Sequence, residues 1–240
     1  VKSMSDQSVP LRLAATAVLL RNSNNGIETL LLRRNAKLAF AGGAWVFPGG
    51  AIDADELEAA ASEEEAAVAA TVREIGEECG LNVAGQDLIH FCNWTTPVGE
   101  KRRFATWFFV GNVDADSGKV VIDDGEIHEF QWIRPEDAIT LHHQDELTLM
   151  PPTYLSLSLL THYETAELAC SALAVRKPYD VTPRLCQFQD EIVCLYPGDA
   201  GYAAIDAALP GARHRTVFAS RGMLYEHSGD NVGLTPMNQP

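Results

Sequence analysis

The chain has 240 residues, of which 46% are hydrophobic, a proportion that suffices for a sizeable packed core. Its 18 basic and 33 acidic side chains give a net charge of −15, which argues against general binding to nucleic acid or to an anionic membrane. Five cysteines without a C-x-x-C spacing favour free thiols and predict a cytoplasmic protein.

The first part of the chain is predicted to form a β-hairpin followed by a glycine-rich loop. The apolar stretch 11–20 predicts a strand, the turn-forming cluster 22–26 predicts a reversal, and 28–33 predicts the returning strand. The loop ends in Gly49 and Gly50, which permit backbone conformations and close approaches that a side chain would block.

Residues 65–81 predict a long helix. Four apolar side chains at positions i, i+4, i+7 and i+11 form one stripe at the helical period. Gly80 follows where a left-handed C-cap glycine is expected. The stripe consists of Val68, Val72, Ile75 and Cys79.

Three carboxylates cluster on one side of this helix. Glu74, Glu77 and Glu78 lie at i, i+3 and i+4, so their like charges repel one another. They also lie in the C-terminal half of the helix, where the macrodipole disfavours anions. Hard divalent cations such as Mg²⁺ or Mn²⁺ bind carboxylate oxygens and would remove the repulsion. The pattern therefore predicts a divalent cation site.

Beyond the long helix, the chain is predicted to contain both strands and helices. Predicted strands occupy 88–94, 104–113, 126–133, 186–196 and 215–225, the last with a predicted turn at Ser220-Arg221-Gly222. Predicted helices begin at Pro135 and occupy 153–163 and 165–175, with Thr153 as a possible N-cap. Phe130 and Trp132 fall on one face of their strand. This succession predicts a mixed α/β or α+β architecture.

The segment Arg73-Glu74-Ile75-Gly76-Glu77-Glu78-Cys79-Gly80-Leu81 resembles the end of the Nudix box, G-x5-E-x7-R-E-U-x-E-E-x-G-U, of the Nudix hydrolases. The preceding Phe47-Pro48-Gly49-Gly50 is similar to the segment that leads into the box. Glu65 stands eight residues before Arg73, as the pattern requires. Fourteen residues separate Gly50 from Glu65 where the family has five, which places about nine inserted residues near 53–64. The insertion is interpreted either as a solvated extra helical turn or as a lip that contacts the substrate.

The resemblance also implies a fold and a domain arrangement. We expect an α/β/α sandwich around a mixed sheet over residues 9–147. Residues 148–228 are expected to form a helical and β extension packed on this domain, followed by a frayed tail at 229–240. The extension is interpreted either as a homodimerisation element or as a lid over the substrate.

By the same resemblance, the activity is metal-dependent hydrolysis of the pyrophosphate bond in a nucleoside-diphosphate derivative. Glu74, Glu77 and Glu78 are then the metal-binding and catalytic carboxylates. Arg73 orients a carboxylate of the box, and the backbone carbonyl of Gly49 faces the metal, which is Mg²⁺ or Mn²⁺.

A further ligand or base is often a glutamate beyond the box in this family. Glu126 and Glu129 are the candidates. A paired strand with acids on its solvated face explains these two residues equally well.

A second resemblance points to the coenzyme A diphosphatase branch of the family. Trp94-Thr-Thr-Pro97 and Arg103-Phe104-Ala-Thr106-Trp-Phe108-Phe109 are similar to segments of that branch, which also has an interrupted box, although Ala105 replaces an aspartate. The resemblance implies coenzyme A or acyl-coenzyme A as the substrate, with Arg103, Phe47 and Trp94 as contacts. ADP-ribose, NADH and nucleotide sugars remain alternative substrates. A non-catalytic nucleotide sensor is the alternative from another functional class.

Overall fold

A computed structural model describes residues 9–37, 41–114, 118–122, 125–219 and 222–229. The predicted frayed tail lies outside these residues except for Gly229. None of the described helices has both the length and the apolar character needed to cross a membrane.

The described residues form twelve strands and five α-helices. The strands of the first half are β1 Leu11–Ser23, β2 Gly26–Arg34, β3 Trp45–Val46, β4 Gly49–Ala51, β5 Ile89–Thr95, β6 Arg103–Asn112 and β7 Ile127–Ile133. The later strands are β8 Tyr179–Val181, β9 Arg184–Phe188, β10 Glu191–Leu195, β11 Arg213–Ala219 and β12 Gly222–Ser228. The helices are α1 Ala54–Ala59, α2 Glu63–Cys79, α3 Pro135–His143, α4 Pro151–Leu160 and α5 Ala166–Ala174.

The main sheet is mixed, as predicted. Its path runs β3-β2-β1-β6-β5-β8, and β4 and β7 pair additionally with β1 and β2. Strand β1 is parallel to β6 but antiparallel to β2 and β4. Since β4 and β2 share one edge of β1, the short β4 lies beside the first half of β1 and close to the beginning of β7.

Helices cover both faces of this sheet, which confirms the predicted α/β/α sandwich. On one face, α2 packs through fully buried Ala66, Ala67 and Ala70, whose small side chains let the helix approach the sheet closely. Ile75 and Cys79 of the predicted stripe are buried there as well. The other face is covered by α3, α4 and α5, through a core rich in leucine and aromatic side chains.

The C-terminal part of the chain packs against the same core. Strand β8 joins the main sheet beside β5, with Cys92 opposite Tyr179. Strands β9–β12 form a second, antiparallel sheet, and this sheet contributes Cys194, Tyr196 and Met223 to the core on the side of α4 and α5. A domain boundary at 147/148 stays a prediction.

Two predicted element boundaries were wrong. The stretch 186–196, predicted as one strand, is a hairpin of β9 and β10, because Gln189 and Asp190 adopt positive φ values of 50° and 66° and reverse the chain. Thr153 is not an N-cap, because the helix begins earlier, at Pro151. A proline is tolerated there since the first turn of a helix does not use its N–H groups.

Candidate active site

Two glycines bring β4 into contact with α2. A Cβ atom on Gly50 would lie 2.2 Å from Oε1 of Glu74, and one on Gly49 would lie 2.4 Å from the carbonyl oxygen of Ala15. The N–H of Gly49 donates a hydrogen bond of 2.9 Å to Oε2 of Glu78. A side chain at Gly49 would therefore clash with the backbone of β1, and one at Gly50 would displace the carboxylate of Glu74. The backbone of β4 holds the Glu78 carboxylate directly. The expected approach of the Gly49 carbonyl to a metal stays a prediction.

The guanidinium of Arg73 is the centre of the polar contacts. Its Nη1 donates to Glu74 Oε1 at 2.8 Å and to Glu77 Oε2 at 3.1 Å. Its Nε donates to Glu56 Oε1 at 2.9 Å, and its Nη2 donates to the carbonyl of Ala51 at 3.0 Å. The hydrogen bond to Glu56 is the main cause of a raised pKa for Arg73. This side chain thus fixes two helix carboxylates and ties them to the end of β4 and to α1.

The structure corrects the assignment of the first glutamate of the box. Glu65 is exposed in the first turn of α2, where its carboxylate accepts a hydrogen bond from the N–H of Ala61, so it does not contact Arg73. Glu56 makes that contact instead. Glu56 also stands six residues after Gly50, which satisfies the first spacing of the box, and counting forward from Gly50 would have identified it. The inserted residues therefore lie between Glu56 and Arg73 rather than between Gly50 and Glu65.

Part of the segment expected to hold the insertion is helical. Helix α1 has no buried residue, and it begins with a capping box in which the N–H of Asp53 donates to Oε2 of Glu56 at 2.8 Å. The segment thus has the form of an extra helical turn. A contact between this segment and a substrate remains a hypothesis.

Burial and crowding of negative charge raise the pKa values of two of the carboxylates. Glu78 is 8% exposed, and burial raises its pKa to about 8, against the opposing hydrogen bond from Gly49 and with added repulsion from Glu74 and Glu126. Burial likewise raises the pKa of Glu74, and Glu77 and Glu126 contribute repulsion. The charge of Glu126 therefore acts on the same site as the carboxylates of the box.

Of the two glutamates proposed beyond the box, the structure brings only Glu126 to the site. Glu126 forms an ion pair with Arg34, which also acts to lower the pKa of Glu78. Glu129 is exposed and lies opposite Arg33, to which it is bound at 3.1 Å. Arg33 and Arg34 are neighbours in one strand, so their side chains point to opposite faces of the sheet. This placement favours Glu126 over Glu129, and the role of either residue as a metal ligand stays a prediction.

The proposed substrate contacts are also revised. Phe47 and Trp94 are 4% and 7% exposed and belong to the core between the sheet and the C-terminal helices. Trp94 packs edge-on against Tyr196, with ring centroids 5.6 Å apart. Arg103 is only partly buried, and its Nε donates to the carbonyl of Thr96 at 3.2 Å. Burial therefore favours Arg103 among the three, and the substrate contacts stay predictions.

The donor set suits a hard divalent cation. Among the described residues, no three His, Cys, Asp or Glu side chains converge closely enough as they stand to hold a metal ion. The bonds from Arg73 and from the Gly49 N–H account for the present orientation of the box carboxylates. A bound cation would offset both the repulsion and the burial that raise the pKa of Glu74 and Glu78. Glu74, Glu78 and Glu126 are the residues that would hold it. Glu77 is exposed and bound to Arg73, and its predicted role as a metal ligand stays a prediction.

Comparisons with known proteins agree with this geometry. The NUDIX domain family matches residues 10–151. A Caenorhabditis elegans protein named nudix hydrolase 7 is 24% identical over 226 residues, which cover 80% of this chain and 74% of that protein. The acyl-coenzyme A diphosphatase NUDT19 of Xenopus laevis is 31% identical over 137 residues, which cover 54% of this chain and 36% of that protein. The chain thus spans about a third of the second relative.

A solved structure shows the same fold. The crystal structure of a NUDIX hydrolase from Alicyclobacillus acidocaldarius superposes with a TM-score of 0.62 at 24% sequence identity. The match covers 70% of this chain and 99% of that one.

The assignment of Glu56 predicts a difference between two otherwise similar substitutions. A glutamine at position 56 or 65 can still accept the hydrogen bond from the backbone N–H at the start of its helix. Only the substitution at position 56 removes an ion pair with Arg73. We expect Glu56→Gln to weaken Mn²⁺ binding by about tenfold or more, as is typical when a residue that orients a ligand is lost. Glu65→Gln is the control and should bind Mn²⁺ within about twofold of the wild type. Electron paramagnetic resonance titration measures both, and equal effects of the two substitutions would contradict the assignment.

The raised pKa of Glu78 predicts that the carboxylate destabilises the metal-free fold. Its pKa rises from 4.5 to about 8 on folding, so stability is lost as the pH increases through this window. In the presence of a chelator, Glu78→Gln should increase the free energy of unfolding by roughly 2–4 kcal/mol at pH 8, and by less at pH 5.5. Urea denaturation at both values measures the effect. Glu77→Gln, at an exposed position, should show no such gain, and a Glu78→Gln variant less stable than the wild type at pH 8 would disprove the account.

Proposed function

The chain belongs to the NUDIX family and is a Nudix pyrophosphohydrolase, and we propose that it acts on a nucleoside-diphosphate derivative, namely coenzyme A or acyl-coenzyme A. The observation that carries the proposed site is that Glu74 and Glu78 meet the glycines of β4, while the charge of Glu126 raises the pKa values of both. Arg73 and Arg34 supply the positive charges that orient these acids.

We propose that Glu74, Glu78 and Glu126 hold Mg²⁺ or Mn²⁺. When bound, such an ion neutralises charge on the phosphate oxygens and lowers the pKa of a water molecule. The protein prepares the site in advance: Arg73 positions Glu74, the N–H of Gly49 positions Glu78, and Arg34 positions Glu126.

The proposed reaction breaks one bond of the P–O–P bridge. The oxygen of a water molecule forms a bond to one phosphorus atom, and the bridging oxygen leaves with its electron pair on the other phosphate. The proton of the water passes to a carboxylate of the group formed by Glu74, Glu78 and Glu126. The products are two phosphomonoesters, which for coenzyme A are 3′,5′-ADP and a phosphopantetheine.

Two observations support coenzyme A derivatives as the substrate. The relative from Xenopus laevis is named an acyl-coenzyme A diphosphatase, and it is 31% identical over the aligned residues. The segments 94–97 and 103–109 resemble those of the coenzyme A diphosphatase branch. Arg103 lies in the second of these segments, so we propose that it contacts a phosphate group of the substrate.

A substrate panel tests this specificity. With Mg²⁺ or Mn²⁺, we expect coenzyme A or acyl-coenzyme A to give 3′,5′-ADP with a higher kcat/KM than ADP-ribose, NADH or nucleotide sugars. Product analysis by chromatography identifies the bond that is cleaved. Faster cleavage of ADP-ribose, NADH or a nucleotide sugar would contradict coenzyme A derivatives as the preferred substrate. Binding without any product would favour a nucleotide sensor.

The two glutamates of the segment 126–129 provide a matched test of the site. Glu126→Gln should lower kcat/KM by about 100-fold or more, since the loss of a metal carboxylate removes several kcal/mol of transition-state stabilisation. Glu129→Gln changes the same chemical group on the opposite face of the sheet and should stay within about threefold of the wild type. Full activity of Glu126→Gln, or a larger loss for Glu129→Gln, would refute the assignment of Glu126.

A further inference from the structure

A concave region lies beyond the C-terminal end of α2, the helix that carries the carboxylates. This groove of about 680 Å³ is formed by the residues after the end of α2, the ends of β1 and β6, and the exposed side of β7. Its lining includes Phe130 and Trp132 of β7, Arg21 of β1, Leu81 and Lys119. The reaction steps above use none of these side chains.

The aromatic side chains of the groove lie on the same face of the sheet as the carboxylates. Phe130 is paired with Leu32, and Trp132 is paired with Leu30. Both leucines are buried in the core under α2, and side chains of directly opposite residues share a face. Phe130 and Trp132 therefore point to the side on which α2 and its glutamates lie.

Two segments of the chain lead from the carboxylates to the groove. Glu126 immediately precedes β7, and Phe130 lies four residues further along the chain, beyond an irregularity in the pairing of Ile127 and Glu129 with β2. Along α2, Leu81 of the groove follows Glu78 by three residues. A ligand with its phosphate at the carboxylates can thus extend along β7 into the groove.

The chemistry of the groove suits a flat, uncharged ring. Phe130 is 40% exposed and lines the groove, so part of its ring is open to a ligand. The guanidinium of Arg21 lies 4.4 Å from the ring centroid of Trp132, and its Nε donates to Glu28 at 2.8 Å. This ion pair offsets the charge of Arg21 and holds its guanidinium against the indole. Bases stack on such aromatic surfaces.

We propose that Phe130, together with the Arg21–Trp132 wall, forms the subsite for the nucleobase of the substrate. The inference rests on the proposed function, because the cleaved diphosphate places the nucleoside beside the carboxylates. The rest of the substrate, such as the phosphopantetheine arm, leaves the carboxylates in another direction.

The test compares two ligands that share a phosphate and a ribose but differ in the base. Isothermal titration calorimetry with Mg²⁺ measures binding of AMP and of ribose 5-phosphate. We expect the wild type to bind AMP about tenfold or more tightly than ribose 5-phosphate, and Phe130→Ala to abolish this preference. The KM of the best substrate should rise about tenfold in the same variant, with kcat within about threefold.

Three further variants separate stacking from general packing. Phe130→Tyr keeps a ring and should retain the preference for AMP, whereas Phe130→Leu keeps an apolar side chain without a ring and should lose it. Phe218→Ala removes a phenyl group of similar exposure, 38%, from the second sheet and should behave as the wild type. The tyrosine variant also serves if the alanine variant does not fold.

The outcomes of these experiments test the base subsite and the proposed hydrolysis separately. If the wild type binds both ligands equally, or Phe130→Leu keeps the preference for AMP, the base subsite is refuted while hydrolysis stands. If the preference for AMP depends on the ring at position 130 but no diphosphate is cleaved, the subsite stands and the proposed activity is refuted.

Discussion

The site depends on the guanidinium group of Arg73. Three glutamates on one side of a helix repel one another, and this repulsion is strongest where the helix dipole also disfavours negative charge. Arg73 offsets it by binding two of them, and it reaches across to Glu56 and to the carbonyl of Ala51. One side chain thus connects the helix that carries the acids with α1 and with the end of β4.

Burial of the carboxylates makes their ionised forms unfavourable in the metal-free protein. The fold places Glu78 in an environment in which the ionised form is unfavourable, with only one backbone N–H from Gly49 to hold it. A structure that carries such a group gives up stability in its metal-free form. The cost is understandable if a cation completes the site, because its charge reverses the effect of burial on the carboxylates.

The sequence predicted what is determined locally. The period of the apolar stripe and the C-cap glycine located α2, since both depend on residues within a few positions of one another. It did not predict which glutamate meets Arg73, because the inserted residues let either spacing satisfy the motif.

Nor did the sequence distinguish Glu126 from Glu129 as the residue at the site. That choice depends on the pairing of β7 with Arg33 and Arg34, which only the assembled sheet determines. Phe47 and Trp94 were assigned by motif position, which does not reveal that both side chains are buried in the core.

The most direct test of the account is the crystal structure of the protein soaked with Mn²⁺, with the anomalous signal locating the ion. The account predicts Mn²⁺ between Glu74, Glu78 and Glu126, with carboxylate oxygens at about 2.1 Å. It also predicts that Arg73 keeps its bond to Glu56. An ion bound elsewhere, with these three carboxylates still directed away from it, would contradict the account.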